Sequence, residues 1–218
     1  FDSLASKVWA FTMMGFARFF MGRHENLTFW KLLGSGSGQG FTPKPNWGVY
    51  AILCVWTDRP SADLGLSKSL FGRYRAHASE HYTVFMAPVA TRGQWSGCEP
   101  FQVSHPPIVG PVAVMTRATL KPRAIPKFWK MEPLVSALVG QNENMIFKIG
   151  LGEKPFLQQM TFSIWPDLAP MVAFARGCGA HADAISQVRA KDMFAEELYA
   201  RFAITGSHGS WSGCDPLG

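Results

Sequence analysis

The sequence predicts an α+β protein made of two tandem copies of one small β-α-β-β-α-β unit. Three observations predict it. The stretch Gly93–Phe101 (GQWSGCEPF) returns as Gly209–Leu217 (GSWSGCDPL), so Trp95 and Trp211 lie 116 positions apart, as do Cys98 and Cys214. Lys31–Gly36 (KLLGSG) resembles Phe147–Gly152 (FKIGLG) at the same spacing. Between these anchors, AILCVW ends at Trp56 and MTFSIW at Trp165, an offset of 109. Matching anchors on both sides of compensating insertions make chance a poor account, and a fixed period marks duplication.

The second copy shows the unit whole. Val112–Leu120 reads as a strand, and a helix follows from Pro126 to Val139. Met145–Leu151 and Gln158–Trp165 read as strands. Pro166 then opens a helix, Asp167–Arg176, because proline suits the first turn. A further helix runs from about Ala180 to Lys191, and the strand Tyr199–Thr205 closes the unit. In the first copy, Ser6–Phe20 is the first helix, Leu27–Leu33 and Val49–Trp56 the middle strands, Leu64–Ala78 the second helix and Tyr82–Ala87 the last strand. Its first strand has no counterpart in the sequence and is expected upstream of Phe1. The order is the ferredoxin-like split motif. Two such repeats, residues 1–105 and 106–218, are expected to pack sheet to sheet as a dimeric-α/β-barrel-like fold with helices outside. Segment 88–111, with five prolines, reads as the link.

The apolar fraction of 47% and charged fraction of 17% describe a chain that fills a core. Eight Trp and seventeen Phe also suit a pocket for a large apolar ligand. The formal charge of +6 is spread without a basic run, and no nucleic-acid motif accompanies it, so nucleic acid is not an expected partner. A basic surface suits an acidic electron donor or an anionic membrane face. The four cysteines form no C-x-x-C pair, which argues against a thiolate zinc site. Reduced thiols and no visible secretory signal predict a cytoplasmic protein. The apolar stretch Val8–Gly22 is too short to span a membrane and carries Arg18. A core helix is the first reading; an interfacial helix flanked by Lys7, Arg18 and Arg23 is the alternative.

Few motifs carry chemistry on their own. GSGSGQG (34–40) lacks the Lys-Ser/Thr of a P-loop and reads as a hairpin connection. No Ser-His-Asp series, H-E-x-x-H helix or acidic cluster supports a hydrolase or a carboxylate-rich metal enzyme. Among the six histidines, His181 shares a helical face with Ala184, Ile185 and Val188, and His77 shares a stripe with Leu70, Tyr74, Ala78 and His81. An inward imidazole can bind haem iron, although an ordinary core histidine accounts for either residue on sequence grounds alone.

The blocks FWKLLGSGSGQGFTPKPNWGVYAILCVW, FKIGLGE with TFSIW after it, and EELYARF followed by WSGCDPL resemble the spheroidene monooxygenase family over nearly the whole chain. The resemblance implies an oxidoreductase, a monooxygenase that oxidises C2 of acyclic carotenoids. Two hydroxylations at one carbon give a geminal diol, which loses water to leave a ketone. It further implies haem b (iron) as cofactor, O2 as oxidant and a ferredoxin-type electron donor, and the basic surface leaves room for peripheral contact of a cytoplasmic protein with the photosynthetic membrane. Under that resemblance His181 is the first choice for axial haem ligand and His77 the second. Arg117, Arg123 and Lys148 are the candidates for the propionates. The competing expectations are a related haem enzyme on another substrate, a non-enzymatic carotenoid- or lipid-binding protein, and a cofactor-free monooxygenase of the small α/β-barrel class.

Overall fold

The computed structural model of the chain describes residues 1–37, 42, 44–104, 108–130, 144–176 and 192–218. The fold is α+β. Helices α1 (Leu4–Phe16) and α2 (Arg18–Met21) precede strands β1 (Leu27–Gly36) and β2 (Pro45–Trp56). Helices α3 (Arg59–Ser67) and α4 (Ser69–His77) lead to β3 (Tyr82–Gly93). After the crossing segment come β4 (Val112–Leu120), β5 (Phe147–Gly152), β6 (Gln158–Trp165), helix α5 (Leu168–Arg176) and β7 (Phe194–Gly209).

The seven strands form one sheet in the order β2-β1-β5-β6-β4-β7-β3, with every neighbouring pair antiparallel. The first half supplies three of these strands and the second half four. An odd antiparallel count leaves the two edges, β2 and β3, running the same way. A strand between them would be antiparallel to both.

Alternation along the strands sorts side chains to two faces. One face carries Leu33, Met115, Leu151, Met160, Ile164, Leu198 and Phe202, closed over by Trp95 and Phe101. Side chains from both edges, Leu53 and Val55 of β2 and Val84 and Met86 of β3, join this same cluster, so the sheet curls around it. On the opposite face of the first half, Leu32, Ile52, Cys54 and Trp56 meet Met13, Ala17, Met21 and Phe71 of the helices. On that face of the second half, Val112 and Trp165 meet Met171, Val172 and Phe174 of α5.

Several elements differ from the sequence reading. The helix expected at Leu64–Ala78 begins earlier, because the Asp58 side chain accepts from the Ser61 N–H at 2.7 Å and Pro60 occupies the first turn. It is two helices, since Lys68 takes an extended conformation between them. Strand β3 runs six residues past Ala87 into the stretch read as linker, and Pro88 sits at a register shift in an edge strand, where its missing N–H costs no ladder bond. His81 therefore precedes a strand and does not continue the α4 stripe. The helix expected from Ala180 and the tip of the glycine-rich loop lie outside the described residues, as does most of the helix expected from Pro126.

Candidate functional site

Two turns 116 residues apart share one geometry. In the first, the Trp95 and Cys98 backbones bond to each other, and Ser96 (φ 56°) and Gly97 (φ 74°) take left-handed conformations between them. Their two N–H groups then point the same way and hold the Glu196 carboxylate at 3.1 and 2.7 Å. In the second, Trp211 and Cys214 close the same bridge around Ser212 (φ 55°) and Gly213 (φ 81°), whose N–H groups hold the Glu80 carboxylate at 2.8 and 2.7 Å. Each carboxylate comes from the other half of the chain. Before each turn a glycine with positive φ, Gly93 (95°) or Gly209 (94°), lies so close to a carbonyl, of Glu197 or His81, that a Cβ would collide with it. Because β3 and β7 are antiparallel, with Tyr82 beside Gly209 and Gly93 beside Leu198, the turns sit at opposite ends of one ladder. A twelve-residue strand puts them roughly 35 Å apart.

The two ends differ in charge. At the Trp95 end, Arg117 rises from β4 into the curl with only 2% of its surface exposed. Its Nη1 donates to Glu196, and its guanidinium lies 5.4 Å from the Trp95 ring centre. Its Nε and Nη2 are buried and have no partner among the described residues. Trp95 Nε1 donates to Glu153 at 3.1 Å, and Lys31 Nζ donates to Glu153 at 3.1 Å and to Ser96 Oγ at 2.8 Å. Two cations and two carboxylates thus surround one tryptophan. Burial alone would raise the Glu196 carboxyl, but the Gly97 N–H, the Arg117 guanidinium and the Ser96 N–H together hold it below the usual range. Beside this cluster, Gly93, Gln94 and residues 192–197 line an open groove of about 480 Å³.

At the Trp211 end, Phe147 replaces a charge, meeting the Trp211 ring edge-on at 5.1 Å. His81 and His208 face each other across the ladder with ring centres 5.7 Å apart. Burial first, then His208 and Arg75, push His81 below the ordinary histidine value.

Of the sequence candidates, Arg117 is the propionate candidate that enters the inner face. Arg123 is exposed and pairs with Asp192 at 3.4 Å. Lys148 lies on β5 and is lowered by burial. His77 is exposed on α4, stacked on Trp9 at 3.9 Å, with its Nδ1 bonded to the Arg73 carbonyl at 2.9 Å. Near it, the Tyr50 and Tyr74 hydroxyls are buried without a partner among the described residues, and burial raises Tyr74 to about 12. His181 and His105 lie outside the described residues. Lys31, Glu153, Glu80 and Glu196 were missed by sequence reasoning. The signal was present, since Glu80 and Glu196 share the 116-residue offset of the turns they hold.

Arginine with free buried donors suits a carboxylate or another oxygen anion. The inner face otherwise offers apolar contact. No group of three or more His, Cys, Asp or Glu that could hold a metal ion is found among the described residues.

No family model matches the chain. Spheroidene monooxygenase of Cereibacter sphaeroides is 46% identical to it over all of this chain and 68% of the relative. The enzyme of that name from Rhodobacter capsulatus is 44% identical over all of this chain and 92% of the relative, and that from Rubrivivax gelatinosus 34% identical over 96% and 81%. A crystal structure from Fusobacterium nucleatum, under a provisional monooxygenase name, covers 96% of this chain and 90% of its own at 12% identity and a TM-score of 0.44, too distant to weigh here. The relatives define the class first: this chain is an oxidoreductase, a monooxygenase. It belongs to the spheroidene monooxygenase family.

Proposed function

We propose that the chain oxidises C2 of an acyclic carotenoid such as spheroidene to a ketone, with haem b as cofactor, O2 as oxidant and a reduced ferredoxin-type protein as electron donor. The observation that carries this reading is identity of 46% and 44%, over the whole chain, to relatives named for the spheroidene reaction. The apolar inner face supports a polyene substrate, and the net charge of +6 supports an acidic donor. When bound, haem supplies the oxygen activation that side chains do not.

The described residues fit such a group in part. His77 donates from Nδ1 to a backbone carbonyl, which leaves Nε2 as the basic nitrogen a metal needs. Arg117 brings two nitrogens, Nε and Nη2, that have no partner among the described residues and suit a propionate. These two lie on opposite faces of the sheet, so one haem does not use both. His181 remains the first choice for axial ligand and His77 the second. The same reading takes residues 1–105 and 106–218 as copies of one ferredoxin-like unit. The paired turns support it, and the first strand of the first copy would lie between β2 and β3.

The test is the visible spectrum of protein expressed with haem precursor, a pyridine haemochrome assay, and turnover of spheroidene with a reducing system. Near-stoichiometric haem and a ketone product are expected. His181→Ala should lose haem or change its spin state while His77→Ala keeps the wild-type spectrum. The reverse pattern moves the ligand to His77. Protein that stays colourless after haem titration overturns the haem reading.

A further inference from the structure

We propose that α1 and α2, with Trp47, form a platform that lies flat on an anionic lipid surface. The inference stands on the exposed face alone and does not rest on the carotenoid reading. The helical path is continuous, because Ala17 N–H bonds to the Met13 carbonyl and Met21 N–H to the Ala17 carbonyl. Its inward side is apolar: Ala10, Met13, Ala17 and Met21 are buried. Its outward side is apolar too. Leu4, Val8, Phe11 and Phe19 recur at helical spacing on one stripe and are 79%, 54%, 55% and 70% exposed, with Phe16 at the rim. A helix with apolar stripes on two sides normally buries both. This one is covered on one side only, so the other side has a partner.

Trp47, at the start of β2, extends the patch. It is 52% exposed and its ring meets Phe11 edge-on at 5.3 Å. Seven of the eleven large apolar residues exposed among the described residues lie on this platform. The eighteen residues of α1 and α2 make it roughly 27 Å long. No helix among the described residues is long and apolar enough to cross a membrane, so this platform is fitted to lie on one.

Charge decides between occupants. From Leu4 to Arg23 the chain carries Lys7, Arg18 and Arg23 and no Asp or Glu. Lys7 and Arg18 fall on the same flank of the apolar stripe. Two copies of this face would repel each other. Anionic headgroups would meet the cations while the phenyl rings enter the acyl boundary and Trp47 sits at the interface.

The test is co-sedimentation of the full chain with vesicles of phosphatidylcholine alone or with 30% phosphatidylglycerol, plus Trp quenching by brominated lipid. Binding to the anionic vesicles is expected, weakening with salt. Phe11→Ser with Phe19→Ser should weaken it by roughly a hundredfold, since each buried phenyl is worth about a power of ten. Lys7→Glu with Arg18→Glu should abolish the preference for anionic lipid, and Trp47→Phe should remove part of the quenching. Val109→Ser, on an exposed site elsewhere, should change nothing. Wild-type protein left in the supernatant overturns the proposal, as does a Phe11/Phe19 variant that binds as well as wild type. Self-association lost in that variant, without vesicle binding, assigns the face to a second copy.

Discussion

Replacing Glu196 by Gln isolates the charge that joins the Trp95 turn to Arg117. The shape is kept, and the amide oxygen still accepts one of the two turn N–H groups. What is lost is the carboxylate opposite a guanidinium that is 2% exposed, with Nε and Nη2 already lacking a partner among the described residues. Breaking a buried ion pair on one side costs about 3–5 kcal/mol, because it strands the remaining charge. The Glu196 side chain is itself 22% exposed, which puts the expected loss near the lower figure, about 3 kcal/mol. For a chain of this length that is a fall in Tm of roughly 6–12 °C, readable by calorimetry or urea titration. Glu80→Gln removes the matching carboxylate from the Trp211 turn, where no arginine is stranded, and should cost clearly less. Arg117→Met combined with Glu196→Gln should recover more than half of the loss, since both charges are then gone. A single variant that loses under about 1 kcal/mol, or a double variant that simply adds the two losses, would refute the claim that the pair is coupled.

Gly93→Ala and Gly209→Ala should each lower Tm by several degrees, because each φ is positive and a Cβ meets a backbone carbonyl; equal stability of either variant would sink the close-approach account. Cys54, raised to about 12 by burial, should alkylate far more slowly than the exposed Cys98 and Cys214, as peptide mass mapping after brief maleimide treatment would read. Acid should act in two stages. His24 and His81 are depressed by burial, so their contribution is present above the ordinary histidine value of about 6.5 and is lost as pH falls through their folded values. The carboxylates of Asp58, Glu80, Asp192, Glu196 and Asp215 are also depressed, so theirs is lost only below about pH 4. Tm measured against pH should show both steps, and His24→Gln with His81→Gln should flatten the first.

The strands were legible because most carry β-branched and aromatic residues between turn signals, although β2, β3 and β7 run to 12, 12 and 16 residues. The doubled WSGC announced two equivalent turns. Their ends were less legible. Pro88 reads as a linker residue until β3 is known to be an edge, where proline is tolerated. Lys68 carries no local helix-breaking signal, and it divides α3 from α4. Trp56 lies against Gly65, where a Cβ would strike its ring, and that contact depends on the sheet being in place. The charged cluster was hidden for a different reason. Glu196 lies 100 positions from Ser96 in sequence, and Glu153 lies 58 from Trp95. Isolated Lys, Arg and Glu residues read as solvated surface, and only the ladder and the curl bring these together. The histidine stripe misled in part, because His81 leaves the helix and His77 stacks on Trp9 at the surface.

What repeats at the 116-residue offset and what does not separates scaffold from site. Glu80 and Glu196, Gly93 and Gly209, and the two Trp-Ser-Gly-Cys turns repeat with the same bonds. These residues fix backbone, and backbone geometry is what both ends of the ladder need. The charges around these carboxylates do not repeat. Lys31, which donates to Glu153 and Ser96, corresponds to Phe147, which packs on Trp211. Arg92 and Glu197, an ion pair at 3.6 Å, correspond to His208 and His81. A core that needed only stability would not bury Arg117 with two donor nitrogens that find no partner among the described residues, because that arrangement is costly in a medium that excludes water. The inner face therefore has direction: a charged end at Trp95 and an aromatic end at Trp211.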